Sequence, residues 1–209
     1  MLLVAAFARD ARAQACVPEE CQPSPSSSYA SAYHNSFSSS SITVDLSDLV
    51  LHSFSTCGPP PASSAGSTAT QSFNAVMDFK LSVNGGSVTS GQAPAVATIR
   101  LAFNHEAAPT RFFDTEMLQL DISGGALPSG TLVRESPTLA STGQTTIQDL
   151  GGGNFHVESF FDVFFELSLD GGVTWMPASN GPDHMTLSGP GCPTPNHRRS
   201  WGQLKLIYR

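Results

Sequence analysis

The sequence has few charged residues and no long apolar run, and each absence excludes a class of protein. Charged side chains make up 13% of the 209 residues, and 17 acidic residues outnumber 10 basic ones, for a net charge of -7. Four of the basic residues lie close to the end of the chain, at Arg198, Arg199, Lys205 and Arg209. Most of the surface would therefore repel phosphate, so we expect no nucleic-acid partner. No stretch reaches the roughly 18 apolar residues of a spanning helix, so we expect no transmembrane segment.

Short catalytic and metal-binding motifs are also missing. The chain contains no Gly-x-Ser-x-Gly, His-Glu-x-x-His or P-loop string and no Cys-x-x-Cys pair. It shows no internal repeat, which argues against a propeller or a solenoid. We therefore expect neither an enzyme nor a resident cofactor.

The N-terminus indicates export. Residues 1–15, MLLVAAFARDARAQA, join a short apolar run to a small-residue ending that a signal peptidase would cleave. The predicted location is secreted or at the cell surface, with the periplasm as the other destination. A lipoprotein is the alternative, because Cys16 follows the cleavage site directly.

Four cysteines in an exported chain favour disulfide bonds over free thiols. Three pairings are open. We favour a local Cys16–Cys21 bond and a long-range Cys57–Cys192 bond, because the flanking segments TCGPPP and GPGCPTP are rigid loops.

The rest of the chain divides into an arm and one domain. Residues 16–41 are rich in serine and lack hydrophobic periodicity, which predicts a flexible arm. Residues 42–209 are long enough for a single domain with a sizeable core. Within it, short β-branched and aromatic segments are separated by glycine turns, which predicts an all-β fold. We expect an antiparallel β-sandwich, jelly-roll-like or Ig-like, with roughly 8 to 10 strands.

One segment fits both the period of a helix and that of a strand. In HVESFFDVFFELSLD, residues 156–170, the four acids recur every four residues, as on one face of a helix. The same segment alternates as a strand, with Val157, Phe161 and Phe165 on one face. Aromatic and β-branched content favours a strand over Phe155 to Leu169.

The string SLDGGVTW, residues 168–175, directly follows that strand. It resembles the Asp-box, or BNR motif, a β-hairpin repeated in sialidases and sortilin-type propellers and found singly in other secreted proteins. The resemblance implies a structural turn away from any catalytic centre. In it, Asp170 accepts backbone hydrogen bonds, Gly172 takes a conformation closed to other residues, Ser168 and Thr174 support the turn, and Trp175 packs beneath it as a core residue.

A wider phrase, FFDVFFELSLDGGVTWMPA, resembles a stretch of uncharacterised exported bacterial proteins, some of which end in a PEP-CTERM sorting tail. The C-terminal sequence HRRSWGQLKLIYR departs from such a tail, since it has neither a Val-Pro-Glu-Pro string nor a terminal hydrophobic helix. The resemblance therefore supports export and implies no activity.

Two groups of polar residues are candidates for binding. The segment NHEAAPTRFFDTE, residues 104–116, predicts a binding loop that carries His105, Glu106, Arg111, Asp114 and Glu116. The alternative is an ordinary polar connection. Calcium could bind at Asp162, Glu166 or Asp170, although no EF-hand spacing is present, and we predict no other metal.

These features predict an exported structural or surface-interaction β-domain without catalytic activity, whose partner would be an extracellular glycan or another surface protein. The alternative is a carbohydrate-binding module that uses exposed aromatics and acids. A sialidase-like or other glycoside hydrolase ranks third, because there is one Asp-box and acids four apart on a strand lie about 13 Å apart, too far for a catalytic pair.

Overall fold

Thirteen β-strands and no helix make up the part of the chain that the structure describes. The computed structural model describes residues 22–31 and 33–189, together with the backbone of residues 15–17. The strands are β1 (Ala15–Val17), β2 (Ser28–Ser31), β3 (His34–Ser38), β4 (Thr43–His52), β5 (Thr68–Val83), β6 (Thr89–Ala107), β7 (Thr110–Ser123), β8 (Leu132–Glu135), β9 (Ser141–Gly151), β10 (Asn154–Val163), β11 (Phe165–Ser168), β12 (Met176–Pro177) and β13 (Asp183–Ser188).

Eight of these strands close into a barrel. Each pairs antiparallel with the next in the order β2, β4, β5, β6, β7, β9, β10 and β13, and β13 returns to β2. The all-β, antiparallel prediction is therefore confirmed, whereas the two separate sheets of a jelly-roll-like or Ig-like sandwich are not what forms. Long strands coil, and β5 and β6, with 16 and 19 residues, curl far enough for the ring to close.

Four of the remaining strands lie at one end of the barrel. At this end, β8 pairs with β7, β11 pairs with β8, and β12 pairs with β11. An isolated bridge then joins Ala178, which follows β12, to Phe37 of β3, and β3 pairs with β4. A second ring is thus completed at this end. On another side of the barrel, β1 lies beside β10.

The flexible arm predicted for residues 16–41 is wrong for its described part, because β2 and β3 belong to the sheet. Tyr29, Asn35 and Phe37 are buried, and the Tyr29 hydroxyl donates to Ser159 Oγ at 2.9 Å. The serines that suggested a linker alternate with these residues along the strands. A few large side chains in the core therefore outweigh the serine-rich composition.

The strand predicted over Phe155 to Leu169 has its core face where the alternation indicated, since Val157, Phe161 and Phe165 are all buried. The single strand is nevertheless interrupted at Phe164. Its N–H donates to Ser141 Oγ at 3.1 Å and its carbonyl accepts from the N–H of Ser136 at 2.7 Å, so it leaves the regular ladder. Leu169 departs from the core face, because β11 ends at Ser168 and the chain turns outward.

Several predictions concern residues outside the described ranges. Cys57 is not a free thiol, but Cys21, Cys192 and the side chain of Cys16 lie outside them, so the disulfide pairing stays a prediction. The same holds for residues 1–14 and the basic C-terminus. Within the described ranges, no helix has the length and apolarity needed to span a membrane.

Candidate functional site

The turn after β11 is a closed network of hydrogen bonds around Asp170. Ser168 is fully buried, donates to Asp170 Oδ1 at 2.8 Å and accepts from the N–H of Gly172 at 2.9 Å. Asp170 also accepts the N–H of Thr174 at 2.9 Å and its hydroxyl at 2.6 Å. These bonds favour the charged form and hold the pKa of Asp170 at about 2. Both oxygens of the carboxylate are therefore engaged within the turn.

Gly172 has a φ of 93° in this turn, a backbone conformation that L side chains rarely adopt. The roles predicted for Ser168, Asp170, Gly172 and Thr174 agree with this geometry. The Asp-box resemblance itself stays a resemblance.

Trp175 is half-buried and is not the core residue that we predicted. Its indole N–H donates to the Gly172 carbonyl at 3.0 Å, and the Arg134 guanidinium lies 3.8 Å from the centre of its ring. Arg134 is held by Glu166, which accepts from its Nε at 2.9 Å and its Nη2 at 2.7 Å. The chain leaves the core after Ser168, so Trp175 lies against the outward-facing side chains of Arg134 on β8 and Glu166 on β11 and covers their ion pair.

The five residues of the predicted binding loop lie on paired strands. His105 and Glu106 belong to β6 and the other three to β7, and only Ala108 and Pro109 separate the two strands. The loop prediction is therefore wrong. Both strands continue up to Ala108 and Pro109, so the segment is a hairpin.

These five side chains are spread along the hairpin, and His105 and Asp114 share a neighbour, Asn104. His105 stacks on Phe112 with ring centres 4.3 Å apart, and Asp114 accepts from Asn104 Nδ2 at 2.9 Å. Glu116 is paired with Arg100, and the Arg111 guanidinium lies 5.9 Å from the centre of the Phe113 ring. Glu106 lies opposite Arg111 in the ladder.

The three calcium candidates likewise have different partners. Asp162 is hydrogen-bonded to His184 Nδ1 at 2.6 Å, Glu166 binds Arg134 and Ser136, and Asp170 is engaged in its turn. Among the described residues, no group of three or more His, Cys, Asp and Glu side chains could hold a metal ion.

Sequence reasoning missed a buried carboxyl group at the end of β8. Glu135 is 7% exposed, and Ser141 Oγ donates to it at 3.0 Å. Burial raises its pKa to about 7, and the nearby carboxylates of Glu116 and Glu166 add to the rise. The alternation in β8 could have revealed it, because Glu135 shares the inward face with Val133.

Replacement of Glu135 by glutamine should make stability less dependent on pH. A carboxyl group whose pKa is raised on folding contributes stability below its unfolded pKa of about 4.3 and loses it as the pH rises through about 7. After allowance for solvent screening, we expect E135Q to match the wild type near pH 4 and to exceed it by about 1–2 kcal/mol at pH 8.

Urea unfolding at the two pH values measures this difference. The exposed Glu106 offers a matched control, because E106Q changes the net charge equally. An E135Q gain of the same size at both pH values would show that ionisation is not its cause.

Comparison of the chain with protein-family models, with curated proteins and with solved structures gives no match.

Proposed function

We propose that the chain is an exported structural or surface-interaction β-domain that works without catalytic turnover. The observation that carries the proposal is the placement of its aromatic side chains. Among the Phe, Trp and Tyr residues in the described ranges, Tyr33 alone is exposed, at 60%. A sugar-binding surface needs accessible aromatic rings that offer an apolar face and a polar, solvated edge. The proposal therefore places the structural role ahead of the carbohydrate-binding alternative.

A second observation supports the same role. On the outer face of β5, β6 and β7, Ser72 Oγ is hydrogen-bonded to Thr98 Oγ1 at 2.9 Å, and Thr98 Oγ1 donates to Gln119 Oε1 at 3.3 Å. Gln119 Nε2 in turn donates to Asp121 Oδ2 at 2.6 Å. Outward side chains that bond to one another across strands stiffen the wall of the barrel, as a structural domain requires.

Export and the two disulfide bonds belong to the proposal. Cys57 paired with Cys192 would tie the C-terminal segment to the barrel, and Cys16 paired with Cys21 would close a local loop near the N-terminus. Both bonds need an oxidising location, where a partner would be a glycan or another surface protein. Peptide mapping without reduction tests the pairing, and a Cys57 peptide linked to Cys16 or Cys21 would contradict it.

A glycan array probed with the mature protein, with calcium or with a chelator, tests the role. We expect no glycan to be bound in either condition. The matched variant is Y33A, which removes the exposed ring and leaves the core unchanged. Binding by the wild type that Y33A abolishes would overturn the structural role in favour of carbohydrate recognition, and binding only with calcium would establish the metal as a cofactor.

A further inference from the structure

A serine, a histidine and an aspartate form a chain of hydrogen bonds where β4 ends. His52 is the last residue of β4, and its Nδ1 lies 2.8 Å from the hydroxyl oxygen of Ser53. Its Nε2 lies 3.0 Å from Asp78 Oδ1 on the neighbouring strand β5. Gln92 Nε2, on β6, donates to the same aspartate oxygen at 2.8 Å. Three adjacent strands therefore hold the group in place.

The chemistry of these groups assigns the protons. A carboxylate can only accept, so the Nε2 of neutral His52 carries its proton and donates it to Asp78. Nδ1 is then left with its lone pair, and the Ser53 hydroxyl donates to it. A carboxylate that orients an imidazole, which in turn accepts from a serine hydroxyl, also activates the nucleophile of serine hydrolases, although there the roles of the two imidazole nitrogens are exchanged.

Ser53 is also positioned toward solvent. It is exposed and has a φ of 58°, in the left-handed region that non-glycine residues seldom occupy. The next residue, Phe54, is buried with its ring against Phe73 and Tyr29. Because of the left-handed backbone at Ser53, the Phe54 side chain packs in the core while the Ser53 hydroxyl lies outside. The buried Phe54 ring therefore fixes the position of Ser53.

The hydroxyl opens onto a groove of about 410 Å³. His52 and Ser53 line one part of it, and the rest is lined by residues that are mostly small and polar, namely Pro25, Ser26, Ser27, Ser28, Ser188 and Gly189. The groove suits a compact ligand that accepts and donates hydrogen bonds.

We propose that Ser53 is a nucleophilic serine that accepts an acyl group from a small activated ester bound in this groove. Ser53 Oγ forms a bond to the carbonyl carbon while its proton passes to His52 Nδ1. The bond from that carbon to the ester oxygen breaks, and the leaving alcohol takes the proton back from His52. The product is an acyl ester on Ser53. Each chain is therefore modified once, which is consistent with the proposed structural role without catalytic turnover.

A fluorophosphonate probe on the full chain tests the proposal, because it phosphonylates activated serines with loss of fluoride. Peptide mass spectrometry should locate the adduct on Ser53. The labelling rate should fall at least about tenfold in H52Q and in D78N, since a general base commonly contributes 10²–10⁴-fold. S53A should lose the adduct.

Two matched variants serve as controls. S72A removes an exposed hydroxyl that is bonded to a threonine, and H184Q removes a histidine that is also paired with an aspartate. Both should label at the wild-type rate. Far-UV circular dichroism of all variants separates loss of reactivity from loss of fold. Labelling spread over several serines, or an unchanged rate in folded H52Q and D78N, would overturn the proposal.

Discussion

Replacement of Gly143 by alanine should destabilise the barrel by more than about 4 kcal/mol, a loss that can leave the chain unfolded. A Cβ at this position would lie 1.9 Å from the carbonyl oxygen of Phe160 and 2.9 Å from its carbonyl carbon. Gly143 is opposite Phe161 in the ladder between β9 and β10. The atoms in the way are backbone, so the two strands would have to separate and the ring would open.

Gly66 is the matched control for this substitution. It has a φ of 81°, and nothing lies within 4 Å of a Cβ built on it. G66A should therefore lose only the roughly 1–2 kcal/mol that a left-handed alanine costs. Urea unfolding followed by far-UV circular dichroism compares the two variants. A G143A protein that unfolds near the wild-type midpoint would contradict the close approach of β9 to β10.

Truncation of Phe161 to alanine should cost about 3–5 kcal/mol, the range measured for buried phenylalanines. Phe161 is 1% exposed and contacts Tyr29 edge-on, with ring centres 5.4 Å apart. Its neighbour Phe160 faces outward, is half-buried and lies 4.9 Å from the ring of His184. F160A should therefore cost less than about 1.5 kcal/mol, because it leaves no cavity in the core.

The two phenylalanine variants together test the strand that the alternation predicted. Equal losses would contradict the assignment of faces, because adjacent residues of a strand point to opposite sides of the sheet. Chemical denaturation gives both free energies of unfolding, provided that each variant unfolds in a single cooperative transition.

Local sequence patterns predicted the all-β class but not the barrel. Alternation along residues 155–167 correctly separated core from surface, because one buried face is enough to set a period of two. Closure depends on how far the long strands coil and on the pairing of β13 with β2, which are far apart in the sequence. Phe164 interrupts its strand through Ser136 and Ser141, and no local pattern indicates such partners.

Among the candidate sites, contacts between residues close in sequence were predictable, whereas contacts across strands were not. The Asp170 turn was predictable because the partners of Asp170 lie within four residues of it along the chain. The prediction that Trp175 is a core residue was wrong because its partner, Arg134, belongs to a strand that is distant in the sequence. His52 and Asp78 are 26 residues apart, and only the register between β4 and β5 brings them together. Contacts across strands need a register that composition and spacing do not supply.

The closing strands also set a limit on when the barrel can form. β2 lies near the start of the described chain, and its partner β13 begins at Asp183. A ribosome delivers residues in order, so every other strand of the ring is made before β13 can join β2 and β10. Until then the ring has two unpaired edges, and long-range pairing of this kind forms slowly. The barrel therefore cannot close until β13, the last strand of its ring, has been made.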